Sequence, residues 1–126
     1  MTGVRMSSYP PSFGAMFAAW NERDMSKVRA HLEQALSPEV EFIDPTIITR
    51  GIDAFEQSVR EFRTKYPEAD IRRSATLGVH HQLYRYSWEI SVKSKVFLVG
   101  MDVTETDAQG RVMRVLGFFG PLPSVS

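Results

Sequence analysis

The stretch LYRYSWEISVKSKVFLVGMDVTETDAQGRV, Leu83 to Val112, decides the fold. Apolar residues recur at every second position from Leu83 to Lys93 and again from Lys95 to Thr106. The breaks at Ser94 and at Asp107-Ala108-Gln109-Gly110 are short, so the pattern predicts strands joined by antiparallel hairpins. A further run, Arg111 to Phe119, continues the series, and another, Ala69 to His80, precedes it across His81-Gln82. Four β-type runs in succession make a meander.

Working back from there, the pattern changes to helical spacing. Pro67 stops a helix predicted from about Ile52 to Tyr66, with Phe55, Val59, Phe62 and Tyr66 in one stripe. Ser12 is expected to cap a first helix carrying Phe13, Met16, Phe17 and Trp20 on one face. Asp24 is expected to cap a second, with Met25, Val28, Leu32, Ala35 and Leu36 inward, ended by Ser37-Pro38. Between the second and third helices, VEFID (Val40 to Asp44) alternates like a half-buried strand. Helices first and a meander second, without βαβ alternation, give an α+β fold. The expected architecture is a conical barrel, a curved and mostly antiparallel sheet wrapped around three N-terminal helices. Residues 12–120 form the single domain, with a flexible lead over 1–11 and a tail over 121–126.

Composition narrows the partners. With 126 residues, 43% of them hydrophobic, the chain builds one ordinary core and has room for one pocket. Fifteen basic residues balance fifteen acidic ones and the two signs are interleaved, which argues against nucleic acid and anionic membranes as partners. The absence of cysteine excludes disulfides, thiolate metal sites and cysteine nucleophiles. MTGVRMSSYPPSFG has no apolar segment of a secretion signal, and no run approaches membrane-spanning length, so a cytoplasmic location is expected.

Alternation places two acids where acids are costly. If Val40 and Phe42 face the core, Asp44 does too; if Leu98 is inward, Gly100, Asp102 and Thr104 are inward with it. Tyr84, Tyr86, Trp88 and Ile90 share a face of the neighbouring run, an aromatic wall with two phenol hydroxyls. Gly100 leaves space above the sheet for something to approach. Desolvation in such a hollow raises a carboxyl's pKa; a neutral acid can then donate to an oxyanion while a better solvated carboxylate acts as base. That division of labour suits proton transfer next to a carbonyl. The plainer readings are an Asx-type turn at Asp44 before Pro45, and an ion pair of Asp102 with Arg111 or Arg114. His31 is expected on a solvated helix face and His80-His81 in a turn, and no spacing assembles a metal site.

The order of elements, IDP at Ile43 to Pro45, MD at Met101-Asp102 and the closing GRVMRVLGFFG from Gly110 to Gly120 resemble the nuclear transport factor 2-like superfamily, in its SnoaL-like and ketosteroid isomerase-like branch. The resemblance covers Phe13 to Gly120. It implies a cystatin-like cone with a deep pocket, no cofactor, and a homodimer formed through the outer sheet face, for which Val112, Leu116, Phe118, Val79, Ile71 and Val99 are the expected apolar residues. It also implies a base at Asp44, matching an Asp-Pro, and a protonated partner at Asp102, eight residues before Gly110. Tyr86 or Tyr84 would be an auxiliary donor, since the helix-one position of the isomerases' tyrosine holds Met16, with Trp20 one turn on. The expected binding wall for a small, largely apolar molecule is Met16, Trp20, Phe42, Phe55, Val59, Phe62, Tyr84, Trp88, Leu98, Gly100 and Phe119. The expected activity is cofactor-independent isomerisation, cyclisation or dehydration of a carbonyl compound, and the alternative is non-catalytic binding of a hydrophobic small molecule.

Overall fold

The computed structural model describes residues 8–125. Helix α1 spans Pro11–Asn21, a short 3-10 turn Met25–Lys27 leads into α2 (Val28–Ala35), and β1 (Leu36–Asp44) and β2 (Ile47–Arg50) form a hairpin. Then come α3 (Ile52–Lys65), β3 (Ala69–Arg73), β4 (Gly78–His80), β5 (Leu83–Val92), β6 (Lys95–Thr106) and β7 (Val112–Phe119). The sheet order is β2-β1-β7-β6-β5-β3, with β4 also on β5. Every pairing is antiparallel except β1 on β7. β2 and β3 do not meet, so the curved sheet wraps the helices without closing.

The hairpins form where turn chemistry allows. Lys93 and Ser94 both adopt positive φ (50° and 68°), the two-residue turn whose twist matches its strands. At the next turn Gly110 (φ 81°) supplies the left-handed residue, and Asp107 Oδ1 accepts from the backbone N–H groups of Gln109 and Arg111. The run Ala69 to His80 divides in two because Ser74 leaves the ladder. Its N–H donates to the Ser87 carbonyl and its hydroxyl to the Thr76 carbonyl.

Several local expectations change. Ser12 does not cap α1; Pro11 opens the helix, where its missing N–H costs nothing, and the Ser12 hydroxyl donates to the Gly110 carbonyl at 2.7 Å. Asp24 does cap, accepting from Ser26 N at 3.0 Å. Ser37-Pro38 does not separate helix from strand, because α2 passes directly into β1 at Leu36. A register irregularity between Leu36 and Glu41 keeps Pro38 from interrupting regular pairing with β7. Of the lead expected over residues 1–11, residues 1–7 lie outside the described part. Tyr9 packs edge-on against Tyr86 and donates to the Ser74 carbonyl at 2.8 Å.

Phe13, Met16 and Ala19 of α1, Val28, Leu32 and Ala35 of α2, and Phe55 and Val59 of α3 pack into one core with Leu36, Val40, Phe42, Tyr86, Val112 and Val115 of the sheet. Two polar side chains fasten its edges. Asn21 accepts from Ile71 N and donates to Ile71 O, so α1 covers the open edge of β3. Arg63 is buried, and its guanidinium donates to the Trp20, Pro67 and Ala69 carbonyls, tying the ends of α1 and α3 to the start of β3.

Candidate active site

The strand alternation holds where it matters. Across β5 and β6, Tyr84 pairs Thr104, Tyr86 pairs Asp102, Trp88 pairs Gly100 and Ile90 pairs Leu98. Residues directly opposite share a face, so all eight point to the concave side. On β7, Gly117 lies opposite Asp102 and Phe119 opposite Gly100. β1 runs parallel beside it, Ile43 against Leu116, which brings Asp44 next to Gly117. Asp44, Gly117, Asp102 and Tyr86 therefore form one row across four strands.

Gly117 lets the two acids face each other. A Cβ there would lie 3.1 Å from Asp102 Oδ1 and 3.3 Å from the Asp44 Cβ. Gly100 has a different occupant from the one expected. A Cβ there would collide with the Trp88 ring and the Phe118 carbonyl oxygen, so the space is filled by the indole. Lying across Gly100, Trp88 reaches Asp102 Oδ1 with its N–H at 2.8 Å.

The electrostatics follow. Burial pushes the Asp102 carboxyl up to about 6, against hydrogen bonding from Trp88 and, more weakly, Tyr86; the Asp44 charge adds to the rise. The Tyr86 hydroxyl makes its close bond to Thr104 Oγ1, at 2.8 Å. Burial first, and the Asp102 charge second, raise Tyr86 well above 10, so it stays neutral. Asp102 forms no ion pair among the described residues, and Arg114 instead holds Glu41 and Glu105. Asp44 fits both readings made of it. Its Oδ1 accepts from Thr46 N (2.7 Å), Thr46 Oγ1 (2.7 Å) and Ile47 N (3.1 Å), an Asx turn, while the residue also lines the cavity with Asp102.

The cavity measures about 360 Å³ and runs between the concave sheet face, α1 and α3. Of the residues named for a binding wall, Met16, Trp20, Phe42, Phe62, Trp88, Leu98 and Phe119 line the cavity. Phe55 and Val59 do not: both are fully buried in the core, because the α3 stripe is wider than the cavity and only its Ser58, Glu61 and Phe62 edge reaches the wall. Tyr84 packs on Phe13 (ring centroids 4.9 Å), and Tyr86 sits among Tyr9, Phe13 and Phe17, so neither hydroxyl is on the wall. Gly100 lies under Trp88 and is likewise off it. Gly117, Phe17, Tyr66, Ile71 and Phe97 were not anticipated there. An isolated glycine within the apolar run VLGFF was the available signal for Gly117. Among the described residues no group of three or more His, Asp or Glu side chains is disposed to hold a metal.

No family model matches the sequence, and no curated protein matches it. Solved structures do. A candidate isomerase of the SnoaL-like family from Agrobacterium tumefaciens superposes with a TM-score of 0.81 at 25% identity, covering 88% of this chain and 96% of that one. An NTF2-like protein of unknown function from an Exiguobacterium species gives 0.71 at 19% identity over 88% and 99%. A candidate SnoaL-like polyketide cyclase from a Jannaschia species gives 0.68 at 10% identity over 93% and 91%. The two more distant likenesses speak for the fold alone. The order of elements, the open curved sheet over three helices and these neighbours place the chain in the nuclear transport factor 2-like superfamily, alongside its SnoaL-like proteins.

Proposed function

We propose that the cavity binds a small, largely apolar carbonyl compound and catalyses cofactor-independent proton transfer on it, as in an isomerase, cyclase or dehydratase. The observation that carries this reading is the pair of carboxyls, Asp44 and Asp102, on one wall of an aromatic cavity with only Gly117 between them. Asp44 Oδ2, which takes no hydrogen bond among the described residues, is the base for a proton on the carbon next to the carbonyl. The electron pair moves to the carbonyl oxygen, and protonated Asp102 donates to the resulting enolate. Return of the proton from Asp44 to another carbon isomerises; attack of the enolate on a second carbonyl, whose oxygen takes that proton, cyclises; and departure of a β-hydroxyl with that proton, as water, dehydrates. Tyr86, behind Asp102 and bonded to Thr104, supports the acid from below. The likeness to the SnoaL-like candidate isomerase supports the same class of chemistry.

The test is deuterium exchange at the α-carbons of β-tetralone, followed by NMR. The expected result is exchange above the buffer rate that declines as pH rises through about 6, where Asp102 loses its proton. Binding without exchange at any pH would leave the second reading, a non-catalytic pocket for a hydrophobic small molecule, which the Asx-turn bonds of Asp44 favour.

We also propose that the convex sheet face pairs two copies. Ile48 (76% exposed), Phe118 (59%) and Val99 (43%) stand on it with Ile43 and Leu116. That is a contiguous apolar surface of the kind a two-fold interface buries. Three residues expected there are elsewhere. Val112 is fully buried in the core because the strand slips register between Glu105 and Thr106. Ile71 faces the cavity opposite Ile90, and Val79 pairs Tyr84 on the concave side. In sedimentation at low micromolar concentration the wild type is expected to run as a dimer and Phe118→Glu as a monomer; a monomeric wild type would remove the proposal.

A further inference from the structure

Among the described residues, eight aromatic rings and three carboxyls, Asp44, Glu61 and Asp102, line the cavity, and no Lys, Arg or His does. The nearby cations are engaged elsewhere. Arg63 is bound to main-chain carbonyls, Arg73 is stacked on the Tyr9 and Phe17 rings (4.1 and 5.2 Å), and Lys65 lies over Tyr66 (5.4 Å). Tyr86, Trp88 and Asp44 approach Asp102 from the neighbouring strands, and α1 turns only Met16, Phe17 and Trp20 to the cavity. With no counter-ion on the wall, the charge of Asp102 depends on hydrogen-bond donors. The close one is the Trp88 N–H at 2.8 Å, since the Tyr86 hydroxyl is engaged with Thr104.

The indole cannot easily turn away. Gly100 beneath it has no side chain, Phe119 packs edge-on beside it at 5.9 Å, and Trp88 stands directly opposite Gly100 in the ladder. Gly100 is thus the seat that lets an indole on β5 lie across β6 and address an acid two residues along.

We propose that Trp88 is the positioning residue of the acid: its N–H fixes Oδ1 of Asp102 and leaves Oδ2 as the oxygen that gives and takes the proton in the cavity. The proposal rests on the proton-transfer reading for its functional meaning, though not for its test. A donor that bonds the ionised form lowers the pH at which Asp102 gives up its proton; without it, an acid in this apolar wall stays protonated to higher pH.

The chain has two tryptophans, Trp20 and Trp88, so its spectrum has two indole N–H resonances. In 1H–15N spectra of the wild type from pH 4 to 8, the Trp88 indole resonance is expected to move with a midpoint near 6 while that of Trp20 stays still. In Trp88→Phe, which keeps a ring over Gly100, the Asp102 carboxyl followed by 13C NMR is expected to titrate about one pH unit higher, a tenfold change in its proton affinity. The pH profile of β-tetralone exchange should move with it, whereas a merely structural role would lower the rate without moving the profile. An indole resonance unmoved over the whole range overturns the assignment even if Trp88→Phe does not fold, and so does an unmoved Asp102 titration in the variant. If exchange is absent while the indole still titrates, the catalytic reading falls and the positioning of Asp102 by Trp88 stands.

Discussion

Asp102→Asn is expected to make the protein more stable at pH 8 by up to about 3 kcal/mol, and to leave stability unchanged at pH 4. The folded-state pKa of Asp102 stands near 6, above the value of about 3.9 for an unfolded aspartate. The folded state therefore binds the proton more tightly, and stability falls as pH rises from about 4 to about 6, where the buried group must ionise. Above that window the penalty is constant. An asparagine removes the charge, and its carbonyl can still accept from the Trp88 N–H, so only the penalty disappears. Urea titrations at several pH values, with the wild type alongside, isolate this group from Glu22, Asp24 and Glu56, whose carboxyls hydrogen bonding holds below the usual range and which respond in the opposite direction. Asp44→Asn should behave differently. Its side-chain oxygen keeps the turn bonds to Thr46 and Ile47, so stability stays within about 0.5 kcal/mol, while exchange falls by about 100-fold or more because an amide is no base. A pair in which one substitution stabilises and both inactivate is the signature of an acid kept for chemistry at a cost in stability. If Asp102→Asn were destabilising at pH 8, the carboxyl would be a structural partner and its catalytic assignment would fail.

The sequence made the inward placement of both acids legible because period-two alternation needs no knowledge of the rest of the chain. Asp102 is where counting from Leu98 puts it, and Asp44 where counting from Val40 puts it. Three things required the third dimension. The first is which side chain fills the space over a glycine: at Gly100 the approaching group is Trp88, which along the sequence is only one more aromatic on its own strand. The second is register irregularity. The slip near Thr106 turns Val112 into the core, and the short, half-exposed β2 has too little alternation to stand out as a strand. The third is the division between core and cavity. Phe55 and Phe62 share one helical stripe, yet one is fully buried and the other lines the cavity, a difference set by helix position along the cone and not by residue type.

Gly100→Ala is expected to cost about 3 kcal/mol, a large penalty for one methyl group. The added Cβ collides on one side with the Trp88 ring and on the other with the main-chain oxygen of Phe118, and the latter belongs to the neighbouring strand of the sheet and has little freedom to yield. Either β6 and β7 separate locally or the indole leaves its seat, and the second outcome strips Asp102 of its close donor. Gly14→Ala, the same change in the interior of α1, has nothing within 4 Å of its new methyl and should stabilise by about 1 kcal/mol, as helix propensity dictates. A double-mutant cycle separates the two contacts at Gly100. In a Trp88→Ala background the ring is gone, so the alanine at position 100 should cost measurably less, and the remainder is the clash with the strand. Equal costs in both backgrounds would mean that the indole yields freely. Trp88 would then be a side chain resting on the sheet, and the fixed Asp102 oxygen on which the proposed chemistry depends would lose its anchor.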